Sequence, residues 1–345
     1  MIRVHGLSDV GQVRDENQDS ILIEEPGDEW MRRHRGTLVV VADGMGGLED
    51  GKVASEIAID ALRETYFAAE GEACAALEEA VLRANSRIHR HAREFAGGQA
   101  MGSTCTALAM LEHYVCIAQV GDSRAYHYHR GQIRQVTRDH SLVRELVDRG
   151  ELDPRSAQYA FHRNVLTRGL GLREDVEVDV FELSEVSDGD LFLLSSDGLH
   201  ELIAEDELVA GIERFGDRLD ALCDHLVELA NSRGGADNIS VVVALLGEFA
   251  SRAASLPAHA PVAAPAAGSP APRQRFGCLV PLAILTSFCI GVIATLVLVS
   301  FSTTVARQET FEKLQDLLRS VRRGETAATE AVRALETLVE KEGER

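Results

Sequence analysis

Positive charge is what this 345-residue chain is short of: 35 Lys and Arg stand against 55 Asp and Glu, a formal charge of −20. Such a field repels polyanions, which excludes a general nucleic-acid binder and argues against adsorption onto anionic lipid head groups. Cysteine supplies no metal or redox motif. The six (Cys74, Cys105, Cys116, Cys223, Cys278 and Cys289) form no CxxC pair and no cluster, and they are read as free thiols of a reducing cytosol. The opening residues MIRVHGLSDVGQVRDENQDS lack the apolar run of a secretory leader. Proline is scarce as well: five of the eight fall in one short stretch. At 45% hydrophobic and 26% charged, the composition is that of a folded protein, neither disordered nor collagen-like.

The acidity is not spread evenly. Residues 1–249 hold 24 basic and 46 acidic side chains, a balance of −22, whereas residues 250–275 carry three basic side chains and no acidic one. That second stretch holds Pro257, Pro261, Pro265, Pro270 and Pro272 among alanines and reads as a semi-extended linker. No charged residue occurs between Arg275 and Arg307. Cys278 to Phe301 is apolar enough and long enough as a helix to cover a hydrocarbon layer of roughly 30 Å. Basic residues flank both ends, so the positive-inside count leaves the orientation open. The missing leader and the large N-terminal part place that part inside. In the tail, Phe311, Leu314, Leu318, Val321, Glu325, Ala328, Val332, Leu335 and Val339 alternate spacings of three and four. The pattern fits either a short coiled coil pairing two chains or two amphipathic helices broken at Gly324. The chain thus divides into a folded domain (1–247), a linker (248–275), a transmembrane helix with flanks (276–305) and a helical tail (306–345).

Within the first domain, TLVVVADG, STCTALAML, YVCIAQVGD, DLFLLSSDG and NISVVVALL are short, β-branched and closed by Gly or Asp, as strands are. GKVASEIAIDALRETYFAA and EACAALEEAVLRANSRIHRHAREF repeat apolar residues at helical spacing, and Asp206 to Phe215 and Arg218 to Ser232 suggest a second helical pair. Strand runs separated by paired helices indicate α+β layers, not alternating βαβ units.

Three strand-like runs end in an aspartate beside a glycine, at Asp43, Asp122 and Asp197, and Asp237 precedes the last strand. Any one Asp-Gly is commonly a hairpin turn. Four at strand ends are harder to dismiss, because strands ending on one edge bring their carboxylates together. Crowded carboxylates repel unless protonated or bridged by cations. An all-oxygen set suits Mg2+ or Mn2+, whereas zinc would want Cys and His at ligand spacing. GQVRDENQDS adds Arg14, Asn17 and Asp19; an Arg there either pairs with the acids or holds an anion, since its planar fork matches phosphate oxygens.

Eight segments, GQVRDENQDS, VVVADGMGG, GSTCTAL, QVGDSRAY, DHSLVRELVDRGEL, HRNVLTRGLG, LLSSDGLHE and GGADNISVVV, in this order and at these separations, resemble the motif series of the bacterial protein phosphatase 2C family. These are metal-dependent serine/threonine phosphatases, and the resemblance covers residues 1–247. It implies a central β-sandwich of two antiparallel sheets flanked by helix pairs, with two Mn2+ or Mg2+ ions at one end and a third, weaker ion. By resemblance, Asp43 bridges both ions with the Gly44 carbonyl as a further ligand, Asp197 and Asp237 complete the first ion's sphere, and Asp19 serves the second. Asp122 with Asp197 matches the third-ion position, and Arg14 matches the phosphate-binding arginine. The segment from His140 to about His162 corresponds to the flap beside the active site.

Two departures matter. Gln18 stands where many relatives carry a Glu ligand, which gives Asp19 more weight, and Met45 stands where the eukaryotic branch has a histidine that protonates the leaving group. No general acid is assigned. His89, His91, His127 and His129 are read as solvated or capping. The expected partners, by resemblance, are phosphorylated proteins, among them a Hanks-type serine/threonine kinase or its substrates, at the inner face of a bacterial cytoplasmic membrane. Residues 276–305 would meet lipid and 307–340 a second copy. A catalytically inactive membrane scaffold that binds a phosphoprotein has no need for three mutually repulsive acids. A two-metal phosphodiesterase conflicts with the acidic surface.

Overall fold

The apolar runs become strands that are buried on both faces. The computed structural model describes residues 1–47, 50–95, 101–153 and 156–249. In chain order the elements are β1 (Ile2–Asp9), β2 (Asp19–Glu24), α1 (Glu29–His34), β3 (Thr37–Met45), α2 (Asp50–Tyr66) and α3 (Ala73–Glu94). Then come β4 (Gly102–Ser103), β5 (Cys105–Met110), β6 (Val115–Val120), β7 (Arg124–His129), β8 (Gln132–Gln135), α4 (Leu142–Asp148) and α5 (Ala157–His162). The last are β9 (Asp179–Leu183), β10 (Leu191–Ser195), α6 (Asp197–His200), α7 (Glu205–Phe215), α8 (Leu219–Ser232) and β11 (Ile239–Leu246).

Two antiparallel sheets result. One runs β1-β11-β10-β7-β8; the other runs β2-β3-β5-β6-β9, with β4 added to β3. Alternation along each strand assigns its two faces to different cores. On β3, Val39 and Val41 point between the sheets, where they meet Leu108, Ile117, Phe192 and Val242, while Leu38, Val40 and Ala42 pack under α2 and α3. On β11, Val242 and Ala244 face the sandwich interior while Ile239, Val241, Val243 and Leu245 face α7 and α8. Helices cover both outer faces, so these strands read as unbroken apolar runs although the sheets are antiparallel. The architecture is α-β-β-α, the α+β layering expected.

The helices are built for close approach. The inner face of α3 is Ala73, Ala76, Leu77, Ala80, Val81, Ala84 and Ile88, and that of α2 includes Ala54, Ala58, Ala61 and Leu62. Small residues at three- and four-residue spacing let the pair lie against each other and the sheet.

One reading is corrected here. Cys74 and Cys116 are joined in a disulfide, with Cα atoms 5.2 Å apart. The link ties the first turn of α3 to the start of β6, elements brought together by packing across 42 residues of sequence, which no local spacing announces. Cys105 and Cys223 are buried thiols, each pushed up to about 12 by burial. Cys278, Cys289, the linker, the expected span at 276–305 and the tail with its apolar seam lie outside the described residues. Among the described residues no helix is long and apolar enough to cross a membrane.

Phe192 is fully buried between the sheets. Phe192→Ala is therefore expected to cost about 3–5 kcal/mol of unfolding free energy, measured by urea denaturation. A loss below about 1 kcal/mol would contradict its place in the central core.

Candidate functional site

The two sheets present their strand ends, and the loops that pass between them, at one end of the sandwich. Asp19 opens β2 and lies directly opposite Asp43 of β3 in the antiparallel register. Asp197 follows β10 as the first residue of α6, and Asp237 lies two residues before β11. Asp122 sits where the chain crosses from β6 in one sheet to β7 in the other, and Arg14 sits on the crossing from β1 to β2. Asp43, Asp122, Asp197, Asp237 and Arg14 line one cavity of about 230 Å³, with Gly44 and Met45 on its wall. Asp19 is buried behind that wall beside Asp43.

The backbone of Asp43 is held from three directions. Its amide donates to Thr104 Oγ1 (2.9 Å), and its carbonyl accepts from the Thr104 amide (2.8 Å) and from Ser103 Oγ (3.1 Å). Thr104 Oγ1 is in turn 2.7 Å from Ser123 Oγ, next to Asp122. Gln119 Nε2 donates to the carbonyls of Gly121 (3.0 Å) and Ser123 (2.8 Å), so a buried amide fixes the loop carrying Asp122. The GSTCTAL and QVGDSRAY segments thereby earn their place through polar clamps around two acids. Gly44 is required by close approach: a Cβ there would stand 2.0 Å from the Gly51 carbonyl oxygen and 2.6 Å from that of Gln18.

Asn238 clamps the other side. Its Oδ1 accepts from the Gln18 amide (2.8 Å), and its Nδ2 donates to the carbonyls of Val10 and Glu16 (2.9 Å each). One side chain thus locks the β1–β2 crossing, which bears Arg14, against the start of β11. A Cβ on Gly198 would lie 2.1 Å from the Asn238 carbonyl oxygen, so the Asp-Gly after β10 is a packing contact between the Asp197 and Asp237 loops. Neither Asp43-Gly44 nor Asp197-Gly198 is a hairpin turn: the first lies within β3 and the second starts α6.

The electrostatics are those of acids with too few partners. Burial, then the charges of Asp19, Asp197, Asp122 and Asp237, hold the Asp43 carboxyl well above the ordinary carboxylate range. Burial, then Asp122 and Asp237, does the same to Asp197. Burial raises Asp19 to about 6 and, with Asp139, raises Asp122 to about 7. Oδ2 of Asp19 and Oδ1 of Asp197 are buried without a hydrogen-bond partner. Buried acceptors are normally satisfied. Two orphaned carboxylate oxygens among five acids, with no imidazole or thiolate among the described lining residues, fit hard divalent cations.

Arg14, left open between pairing acids and holding an anion, donates from Nη2 to Asp237 Oδ2 at 2.7 Å, and this bond raises its pKa. Half exposed at the cavity mouth, it can be drawn away by a stronger anion. Beside the cavity, the segment from His140 onward is pinned at its neck. His140 Nδ1 accepts from the Gly121 amide (3.1 Å), its Nε2 donates to Asp179 Oδ2 (3.1 Å), and its carbonyl accepts from the Thr167 amide (2.8 Å). Burial lowers the His140 pKa, consistent with a neutral ring that can accept at Nδ1. Asn164 and Leu166, just beyond His162, reach the cavity lining. The polar clamps Thr104, Ser123, Gln119, His140 and Asn238 were not read from the sequence; their signal was only their presence inside the quoted segments.

One histidine reading is corrected. His127 is buried against Asp190 at the opposite end of the sandwich and is neither solvated nor capping a helix, whereas His129, on the same Asp190, keeps its side chain partly exposed.

With this geometry in view, comparison with known proteins is informative. The family model described as protein phosphatase 2C matches residues 12–234. The chain is 36% identical over 241 residues to the serine/threonine phosphatase stp of Listeria innocua, covering 68% of this chain and 92% of the relative. It is 32% identical over 246 residues to the protein phosphatase PhpP of Streptococcus pneumoniae, covering 70% and 96%. Among solved structures, the serine/threonine phosphatase PstP/Ppp of Mycobacterium tuberculosis superposes with a TM-score of 0.63 at 32% identity, covering 72% of this chain and 99% of that one. The catalytic domain of PstP in complex with two manganese ions gives a TM-score of 0.61 at 31% identity, covering 72% and 99%. The fold and the crowded acid site define a phosphatase of the α-β-β-α sandwich class. This chain belongs to the protein phosphatase 2C family.

Raised acids also set a pH dependence for the bare protein. An acid whose pKa is raised by folding keeps its proton longer in the folded state, so its contribution to stability is greatest at low pH and is lost as pH rises. In chelator, the thermal midpoint is expected to fall between about pH 4, the unperturbed carboxylate range, and the values of about 6 and about 7 for Asp19 and Asp122. Saturating Mg2+ should remove that slope. A midpoint that rises through this range in chelator would contradict the assignment.

Proposed function

We propose that this protein hydrolyses phosphoserine and phosphothreonine in other proteins at the Asp43 cavity, using Mn2+ or Mg2+, and that it does so while anchored to a membrane. The observation that carries the reading is the convergence of five buried or half-buried carboxylates, two with orphaned oxygens, beside an arginine that an anion can claim. The printed names of the relatives, serine/threonine phosphatases in several bacteria, support the substrate class.

Two divalent cations held at such a site neutralise phosphate charge and acidify water to a nucleophile usable at neutral pH. Asp43, between Asp19 in its own sheet and Asp197 and Asp237 from the other, would hold these ions together with them; the Gly44 carbonyl would be a further oxygen donor, and Asp122 with Asp197 would take a third, weaker ion. Arg14 exchanges Asp237 for the equatorial oxygens of the phosphoryl group, and its fork lends them charge as they gain it in the transition state. Met45 on the cavity wall has no proton to give, so the leaving alkoxide takes its proton from water or from another acid. The rigid backbone of Asp43, held by Ser103 and Thr104, limits reorganisation during the reaction. Asn164 and Leu166, at the end of the flap, are placed to touch residues flanking the phosphorylated side chain.

The apolar stretch within 276–305 supplies the anchor, single-pass, with the catalytic domain on the cytoplasmic side of a bacterial inner membrane. Tethering raises the effective concentration towards membrane-bound targets, for which a Hanks-type serine/threonine kinase or its substrates are the natural class. The seam over 307–340 would pair two copies.

Hydrolysis of p-nitrophenyl phosphate and of a phosphothreonine peptide is expected to require Mn2+ or Mg2+ and to stop in chelator. Asp43→Asn and Asp197→Asn should each lower kcat by at least about 100-fold. Full activity of Asp43→Asn in chelator would overturn the mechanism. Deleting residues 276–305 should move the protein from the membrane fraction to the soluble fraction with the specific activity of the domain retained; a full-length protein found wholly in the soluble fraction would contradict the anchor.

A further inference from the structure

Three ligand-bearing side chains outside the acid site converge on one point. His127 and His129 are two apart on β7, so both rings project from the same face of the strand, towards the gap between the sheets that Ala125 and Phe192 also enter. Asp190 immediately precedes β10, the neighbouring strand, in which Leu191 pairs with Tyr128. Its Oδ2 lies 3.0 Å from His127 Nε2 and its Oδ1 lies 2.5 Å from His129 Nδ1. The ligand atoms of the three residues all fall within 4.8 Å of one another. Asp190 and Asp197 sit at opposite ends of β10, so this cluster is roughly 20 Å from the acid site at about 3.3 Å per residue.

Its parts are held in place. The His127 ring is stacked on Phe192, with centroids 4.6 Å apart and planes 6° from parallel. The Ser187 amide donates to Asp190 Oδ2 at 3.1 Å, which orients the carboxylate. His127 and Asp190 are buried while His129 is 40% exposed on its side chain, so the cluster is closed at the back and open at the front. That opening is a cavity of about 860 Å³, several times larger than the one at Asp43, and lined among others by Glu182, Glu185, Glu205 and Asp206, with Arg134 the one fixed cation among the described lining residues.

We propose that His127 Nε2, His129 Nδ1 and the Asp190 carboxylate form a second cation site in this protein, specific for a zinc-class divalent ion and separate from the catalytic acids. The chemistry separates the two ends of the sandwich. The acid cavity offers only oxygen and suits hard ions, whereas two imidazoles and one carboxylate are a nitrogen-rich set suited to Zn2+ and its neighbours. Three protein ligands leave a position open towards the cavity, whose acidic lining draws cations in. Binding shifts each ring proton to the nitrogen facing away from the ion and replaces two His–Asp hydrogen bonds with coordination bonds. An ion here would fasten the end of β7 to the start of β10, two neighbouring interior strands of their sheet.

The test uses the full chain in detergent, with excess Mg2+ present to occupy the acid site. Co2+ is added as a spectroscopic substitute, followed by Zn2+ in competition with a chromophoric chelator. Wild type is expected to show the strong visible absorption of low-coordinate, nitrogen-ligated Co2+, where a six-coordinate all-oxygen site gives only weak bands, and to take up one tight Zn2+ equivalent. His129→Ala, at a half-exposed position that folding tolerates, should lose the band and weaken that equivalent by more than about 10-fold. Asp190→Asn should do likewise, and Mg2+-dependent phosphatase activity of His129→Ala should stay at the wild-type level. No Co2+ band in wild type would overturn the proposal. So would a His129→Ala protein, folded by circular dichroism, that keeps the wild-type band and Zn2+ uptake.

Discussion

Mutual repulsion among carboxylates is the constraint on which this structure turns. Five aspartates from five separate stretches of chain are gathered at one end of a sandwich, most of them away from water, with Arg14 paired to Asp237 and Arg124 acting on Asp122 as opposing charges. Like charges at such range in a poorly solvating interior raise each other's pKa and oppose folding. An arrangement that costs this much and is still held by a dense set of hydrogen bonds points to something that pays it back on binding, and hard divalent cations do so.

The fold's task is to hold the acids against that repulsion. Both sheets are covered by helix pairs, so each central strand is anchored by two apolar faces and its end is a stiff platform. The acids then sit at strand ends or on the short crossings between sheets, each locked by a polar clamp: Thr104 and Ser103 on Asp43, Gln119 and His140 on the Asp122 loop, Asn238 across the Arg14 loop and the Asp237 turn. Rigid placement is what electrostatic catalysis needs, because donors and charges that must reorganise lose much of their effect.

Much of this was legible in the sequence, and for identifiable reasons. Strands with both faces buried announce themselves as apolar runs closed by Asp-Gly, and α2 and α3 carry their small-residue stripe at helical spacing. Asp43, Asp122, Asp197 and Asp237 stood out because each ends or precedes such a run. What stayed hidden depends on contacts far apart along the chain. Asn238 acts on residues more than two hundred positions away, and the Cys74–Cys116 link exists because α3 lies on β6. His127 looked like a surface histidine in a polar, aromatic stretch; only the pairing of β7 with β10 brings Asp190 to it and Phe192 beneath it. Arg14, equally able to pair with acids or hold an anion, is seen making the first contact in a position that allows the second.

Catalysis here requires cations among these acids. Crystals of the protein grown with Mn2+, with diffraction recorded above and below the manganese absorption edge, test it directly. Two strong anomalous peaks flanking the Asp43 carboxylate, one also in contact with Asp197 and Asp237, are the predicted result. Ordered density for all five aspartates with no anomalous peak between them would contradict it.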